Sequence, residues 1–371
     1  VGAQKGACAP ALASRHCKGT LRYSDPFKAT GQFMAEMEAF CEENPVDLIV
    51  PITDLTTTIL LSESNTSEKL PQLATPSREA YFACSDKFLT YKKSKELDIA
   101  TPQTWLCTSA ADSLKIVEQY PLVVKDRFSI RYMEDELLSG EVNYALAPGQ
   151  LQKLVGEHLI RFPDLLVQGF ATGTGTGLAF FCDGERAYSP FMWERLREKD
   201  PRGSGSSARR SIPLDEVLLG KCQELLTCVG FVGIAMIEFK AVEGGGEAVF
   251  MEVNARPWGS LQLAVHCGVD YPKMLVEWHL SGKRPPERRD YPVGLTCRWL
   301  KADLIHLENL RQRRREPWPL PYPSFLTSIL KVALPWYPGM HYDHLSLQDI
   351  KPGIVDLADW LKQKLRLGGA K

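Results

Sequence analysis

The chain has 371 residues, enough to bury a large core and to fold as two or three domains. Its 44 basic and 45 acidic residues nearly cancel, to a formal net charge of -1, which argues against a general nucleic-acid or membrane-surface binder. Hydrophobic content of 44% is ordinary for a soluble globular protein, no apolar run reaches the length of a bilayer span, and no signal peptide is evident, so the reading is cytoplasmic.

The first elements alternate between helix and strand. Residues 9–17 read as a short helix and residues 34–42 carry helical spacing of apolar side chains. Residues 46–51 read as a buried parallel strand, with Asp54 just past its C-terminal end, where α/β sheets bind ligands. Thr75-Pro76-Ser77 opens a helix. This alternation predicts a small α/β domain at the start of the chain. Ser85 or Asp86 then caps a helix over residues 88–97, with Lys87 at its start. After a strand at 104–106, Tyr120-Pro121-Leu122-Val123-Val124-Lys125 forms a strongly apolar strand that ends in a charge. A lysine there is unusual, because its ammonium needs a partner or water.

Residues 147–161 have helical spacing, and residues 165–170 form a strand carrying Gln168 and Phe170. The run Thr172-Gly173-Thr174-Gly175-Thr176-Gly177 lacks the Lys-Ser/Thr end and the long helix of a phosphate loop. It reads as a tight connection into a strand at 178–182. A strand at 187–196 leads into Arg195, Arg197, Lys199, Arg202, Arg209 and Arg210, clustered around Gly203-Ser204-Gly205-Ser206-Ser207. That cluster is either a solvated basic loop or an anion site.

An amphipathic helix at 214–229 precedes the stretch richest in chemistry. Two apolar runs, 234–239 and 248–253, are each broken by one acid, Glu238 and Glu252, and are joined by Glu243-Gly244-Gly245-Gly246-Glu247. A glycine turn between two strands predicts an antiparallel hairpin, which brings the two acids near each other. Asn254 lies two residues past Glu252 on the same face, and Arg256 two further. Two carboxylates and an amide oxygen are hard ligands that suit magnesium, and a guanidinium beside them suits a phosphoryl group. On pattern alone, the solvated face of a half-buried hairpin accounts for the acids equally well.

Beyond this stretch the sequence says less. Helices are expected near 261–265, 273–281 and 354–367, with a strand at 293–300. The basic run 311–315 reads as a solvated helix end, and the Pro/Trp/Tyr-rich stretch 317–338 as a cover over the core. His341 and His344 lie in a Pro/Gly-rich loop and do not read as a metal site. The ten cysteines are scattered singly, without Cys-x-x-Cys spacing, and are expected to be free thiols.

Glu-Val-Asn-Ala-Arg-Pro-Trp-Gly-Ser at 252–260, with Glu238 one hairpin upstream, resembles the metal-binding signature of the ATP-grasp superfamily, in particular its carbamoyl-phosphate-synthase-like carboxylate–amine ligases. Lys125 and Gln168 fall in the matching order, and the likeness extends from about Ser14 to Pro285. It implies an α/β (α+β) protein with an ATP-grasp fold behind a Rossmann-like pre-domain. That pre-domain looks truncated, since its first strand and helix have no counterpart. The implied division is a pre-domain at 1–84, a lid subdomain and linker at 85–165, a second ATP-grasp subdomain with the metal site at 166–285, and a C-terminal extension at 286–371.

The resemblance further implies ATP, with Mg²⁺ or Mn²⁺ held by Glu238, Glu252 and Asn254. Lys87 and Lys125 would hold phosphates, Gln168 and Phe170 would flank the adenine, and Ser260 would line the substrate site. Arg256 and Arg197 would stabilise charge on the transferring phosphoryl group. The implied reaction phosphorylates a small carboxylate and passes the acyl group to an amine. A homodimer is the expected assembly. One departure is the lid. The family's flexible glycine-rich loop is replaced by Asp126-Arg127-Phe128-Ser129-Ile130-Arg131, where Arg127, Ser129 or Arg131 would have to serve as donors. Asp54, Arg15 and Lys5 are further candidates for substrate contact. A regulatory ATP-binding homologue without catalysis is the alternative. A dinucleotide enzyme ranks below both, because no Gly-x-Gly-x-x-Gly follows a strand in the N-terminal region.

Overall fold

A computed structural model describes residues 1–63, 69–133, 136–241, 246–313, 315–318 and 320–368. The N-terminal region holds two short parallel pairs, β1 (Gly2–Gln4) with β2 (Leu21–Tyr23) and β3 (Leu48–Ile49) with β4 (Gln72–Leu73), alongside α1 (Thr30–Glu43) and α2 (Asp54–Glu63). The short helix at the start is a single 3₁₀ turn, Pro10–Ala13. Then come α3 (Arg78–Ser85), capped by the Ser77 hydroxyl, and α4 (Lys87–Glu96), capped by the Asp86 carboxylate.

A four-stranded antiparallel sheet follows. It comprises β5 (Thr104–Cys107), β6 (Leu122–Lys125), β9 (Val142–Ala145) and β10 (Leu165–Gly169), in the order β5-β10-β6-β9. Between β6 and β9 a separate hairpin forms from β7 (Ile130–Met133) and β8 (Glu136–Ser139). Strand alternation decides what each side chain does. Leu122 and Val124 pack with Leu151 and Val155 of α5 (Pro148–His158), while Val123 and Lys125 face the other way.

The largest sheet has seven strands, in the order β15-β14-β11-β12-β13-β16-β17. They are β11 (Thr174–Asp183), β12 (Ala187–Glu198), β13 (Ser206–Ile212), β14 (Val232–Ala241), β15 (Val249–Asn254), β16 (Thr296–Arg298) and β17 (Met340–Tyr342). One face is sealed by α3, α4 and α6 (Glu216–Thr227) through Cys84, Tyr91, Leu225, Phe180 and Phe239. The other is covered over part of its length by α7 (Gln262–His266) and α8 (Tyr271–Ser281), through Leu263, Met274 and Leu275 on Phe181 and Ile234. The part of that face left uncovered is the floor of the main cleft.

Two sequence expectations change here. The Gly-Thr run is not a connection, because β11 begins at Thr174 and pairs with β12 and β14 along its length. The 195–210 cluster is not a solvated loop either. It is the β12–β13 hairpin, and its arginines are bound by carboxylates. The turn expected over 243–247 falls largely outside the described residues.

Residues 296–342 complete the same sheet, since β16 pairs with β13 and β17 with β16. Buried ion pairs fix that junction. Asp303 of α9 (Leu300–Arg313) is fully buried and accepts from both Arg197 Nε and Arg298 Nε at 2.8 Å, while Arg209 is held by Asp343. Beyond it lie α10 (Phe325–Ala333) and α11 (Lys351–Gly368). Removing the Asp303 carboxylate strands two guanidinium groups in the interior. Asp303→Ala is therefore expected to cost about 3–5 kcal/mol in a denaturant titration; a loss under about 1 kcal/mol would show that the junction does not depend on this pair.

Candidate active site

Between the four-stranded and seven-stranded sheets lies a cleft of about 460 Å³. Its upper wall is Val123 and Lys125 of β6, Val142 and Tyr144 of β9, and Gln168, Gly169 and Phe170 at the end of β10. Its floor is Arg195, Met236, Glu238, Lys240, Met251, Glu252 and Asn254. The size falls within the range of small-molecule sites.

The floor is organised by strand register. Glu252 pairs with Glu238, Glu238 with Gly177, and Gly177 with Trp193, so these positions form one row across four strands. The Asn254 amide lies 3.4 Å from Glu252 Oε1. Burial raises the Glu238 carboxyl above its ordinary range; the neighbouring Arg195 guanidinium lowers it and the Glu252 charge raises it further. Among the described residues no three His, Cys, Asp or Glu side chains converge as a closed metal cage. Two carboxylates and an amide oxygen instead make an open, hard-oxygen set. That is the chemistry of a magnesium site completed by phosphates and water, so the residues present fit this ion.

Two buried lysines line the same cleft, Lys125 on β6 of the upper wall and Lys87 at the start of α4. The Lys125 ammonium donates to the Tyr91 hydroxyl at 2.7 Å, and that of Lys87 to the Ser129 hydroxyl at 3.0 Å. Among the described residues neither is neutralised by a hydrogen-bonded carboxylate. Burial lowers the Lys125 ammonium to about 8, although the Glu252 and Glu238 charges work against that shift. Burial lowers Lys87 as well; the Glu252 charge works against that shift and Lys125 adds to it. The pair thus holds positive charge that the fold itself leaves poorly compensated.

The remaining expected residues divide. Arg256 lines the cleft and is gripped by Asp54 at 2.8 and 2.6 Å, which ties the N-terminal region to the site. Ser260 and Phe170 line it too. Gln168 lines it, but its side chain is engaged inside the upper wall, accepting a hydrogen bond from the Tyr91 hydroxyl and donating one to the Thr104 hydroxyl. Arg197 does not join them: its guanidinium turns to Asp303. The guanidinium that reaches the floor is that of Arg195, 2.6 Å from Glu238 and 3.2 Å from Glu198. A β-bulge between Arg195 and Arg197 disturbs the alternation in this part of β12.

The lid donors are also redistributed. Arg127 binds Asp86 and Asp164, Arg131 binds Asp164, and only Ser129 lies close to the site, through Lys87. Of the other N-terminal candidates, Lys5 is bound to Glu36 and the Arg15 side chain meets His16. Reading the sequence also missed the purpose of the alternating glycines. A Cβ on Gly175 would come within 2.6 Å of Arg195, and one on Gly177 within 2.3 Å of Trp193. Bare positions at period two let Arg195 lie across the sheet to Glu238 and let Trp193 stack on Trp258, their rings 6.0 Å apart. Glycines two apart in a strand were the available signal.

Residues 186–302 match the family described as ATP-grasp in the biosynthetic pathway with Ter operon. Among solved structures, biotin carboxylase from Campylobacter jejuni, in complex with an ATP analogue, is similar at a TM-score of 0.62 and 13% identity, over 80% of this chain and 68% of that one. The L-amino acid ligase of Bacillus licheniformis is similar at 0.54 and 16%, over 71% and 63%. The biotin carboxylase domain of Hydrogenobacter thermophilus 2-oxoglutarate carboxylase, with MgADP, ADP and bicarbonate, is similar at 0.57 and 14%, over 77% and 66%. The chain thus spans about two-thirds of the length of these proteins. No curated protein sequence matches it significantly. The fold is that of the ATP-grasp proteins, with the cleft between its two sheets. Among the described residues no helix is long and apolar enough to cross a membrane.

Two outcomes are expected. Gly177→Val should push Trp193 off Trp258 and cost about 1–3 kcal/mol in thermal or chemical unfolding. Lys125→Met should stabilise the free protein, because it removes a desolvated charge while keeping the length of the side chain. With the folded Lys125 near 8 and its ordinary value 10.5, the unfolded chain binds the extra proton between those limits. Wild-type stability therefore gains from this group as pH rises through that window. The advantage of Lys125→Met, about 1–3 kcal/mol at neutral pH, should shrink between pH 8 and 10.5. A pH-independent difference would contradict the assignment.

Proposed function

We propose that the protein is an ATP-dependent ligase that activates a carboxylate as its acyl-phosphate and couples it to an amine, releasing ADP and phosphate. The observation carrying this reading is that one cleft is lined by the Glu252–Glu238 row and by the buried Lys87 and Lys125. Two acids and two buried cations without hydrogen-bonded carboxylates among the described residues suit a metal–triphosphate, whose charges complete the site.

In this reading Glu238, Glu252 and Asn254 hold Mg²⁺, for which Mn²⁺ can stand in, and the ion offsets charge on the β- and γ-phosphates. Lys87 and Lys125 take phosphate oxygens. Phe170 and the backbone around Gln168 take the adenine. Arg195 takes the role expected of Arg197: by pairing with Glu238 it fixes that carboxylate and adds positive charge beside the γ-phosphoryl group. Arg256, aimed by Asp54, and Ser260 face the acid to be activated.

A carboxylate oxygen bonds to the γ-phosphorus as the bond to the ADP oxygen breaks. The amine nitrogen then bonds to the acyl carbon, phosphate leaves, and the nitrogen loses a proton. No side chain needs to form a covalent intermediate; the protein positions reactants and balances charge.

One observation favours the regulatory alternative. Arg127 and Arg131, the basic residues after β6, are committed to Asp86 and Asp164, which leaves the described residues of that lid segment without a free cation. A screen of carboxylate and amine pairs for ATP-dependent phosphate release separates the two readings. The ligase reading expects release that requires both substrates and falls by at least about a thousandfold in Glu252→Gln with the fold intact. Nucleotide binding without release for any pair supports the regulatory alternative, and unchanged release in Glu252→Gln contradicts the metal assignment.

A further inference from the structure

The charged groups lining the cleft are almost all spoken for. Arg195 is bound by Glu238 and Glu198, Lys240 by Glu198, Arg202 by Glu316, and Arg256 by Asp54. Lys87 and Lys125 donate to hydroxyls and face the phosphates in the reading above. Lys199 is different. It lines the cleft, yet among the described residues its ammonium meets no carboxylate, carbonyl or hydroxyl within hydrogen-bonding distance. It rests 5.5 Å from the centre of the Trp299 ring.

Its backbone, by contrast, is pinned. Lys199 N–H donates to the Gly205 carbonyl at 3.0 Å, and the Lys199 carbonyl accepts from the Asn309 amide at 2.9 Å. A Cβ on Gly205 would sit 3.2 Å from Lys199 Cε, so the glycine lets the lysine stem pass close to the loop. Trp299 is held with equal care. Its N–H donates to the Ser207 carbonyl at 2.8 Å and its indole nitrogen to Asp356 at 2.6 Å, while the residue stays half-buried at the cleft wall. An ammonium on a pinned backbone, without a counter-ion among the described residues and beside an aromatic wall, is arranged to receive something from outside the chain.

A second unpaired donor points the same way. Trp258 lines the same cleft and is 5% exposed, and its buried indole nitrogen has no acceptor. Leaving such a group unmatched is costly. Burial lowers the Lys199 ammonium, and the charge of Arg195, the guanidinium that touches Glu238, lowers it further.

We infer that Lys199 and Trp299 form the subsite for the acid that is activated. Its ligand is an organic carboxylate with an apolar, ring-bearing body, rather than a bare inorganic anion. The ammonium takes the anionic group and the indole wall takes the body of the molecule. This inference rests on the ligase reading and names the substrate class of that site. Trp299 belongs to the segment that also supplies β16 and α9, so this part of the chain contributes to substrate choice as well as to the sheet.

Calorimetric titration of matched acids into the full chain, with magnesium and the non-hydrolysable β,γ-methylene-ATP, tests it. The probes are 3-phenylpropionate against propionate, and phenylalanine against alanine. Inorganic phosphate serves as a competitor. At least one ring-bearing acid should bind about tenfold or more tighter than its small partner. Lys199→Met should weaken it by about tenfold or more, Lys199→Arg should restore most of the affinity, and Trp299→Leu should erase the preference for the ring. Matched melting temperatures confirm that the Lys199 variants fold. Equal binding of large and small acids, unchanged affinity in Lys199→Met, or displacement by phosphate alone overturns the inference. The analogue itself reports on the broader reading. If it binds and no ring-bearing acid does, the subsite fails; if it does not bind, the ATP reading fails.

Discussion

The structure depends on how it tolerates charge placed where water is scarce. Glu238 and Glu252 are direct neighbours in a sheet, and the buried Lys87 and Lys125 line the same cleft. Like charges paired across strands repel, and ammonium groups without carboxylate partners pay for their own desolvation. The carboxyl of Glu238 is raised and the ammonium of Lys125 is lowered, each towards its neutral form. A ligand carrying both a divalent cation and a string of anions would relieve both walls together. Perturbed groups of opposite sign across one cleft are the pattern expected of a functional site.

The rest of the chain holds this arrangement in place. Glycines at 175 and 177 clear one face of β11, so that Arg195 and Trp193 can lie across it. Asp54 reaches from α2 to aim Arg256. Tyr91 joins Lys125, Gln168 and the Met251 carbonyl, linking the upper wall to the strand that carries Glu252. Asp303 anchors Arg197 and Arg298, so the segment after residue 286 is built into the sheet beside the site. These supports come from distant parts of the chain, and each converges on the row of carboxylates.

Much of this was legible in the sequence where local rules govern. The acids at 238 and 252, two apolar runs and an intervening glycine turn specified a hairpin, and period-two alternation put Asn254 and Arg256 on the side of Glu252, where both line the cleft. Ser77 and Asp86 announced their helices as caps. What could not be read were partnerships between residues far apart in sequence. Arg197 was singled out by resemblance, and nothing local in the sequence announces the bulge beside it or its pairing with Asp303, over a hundred residues away. Arg127 and Arg131 looked free because Asp86 and Asp164 are brought to them only by the fold. The Gly-Thr run was set aside as a connection, although its spacing already matched a strand with one bare face.

Manganese binding followed by electron paramagnetic resonance, with and without β,γ-methylene-ATP, tests the central claim most directly. The account predicts weak binding of the ion alone, binding tightened by about tenfold or more when the nucleotide analogue is present, and loss of that gain in Glu238→Gln and Glu252→Gln. Ion binding that ignores the nucleotide, or that survives in both variants, would contradict it.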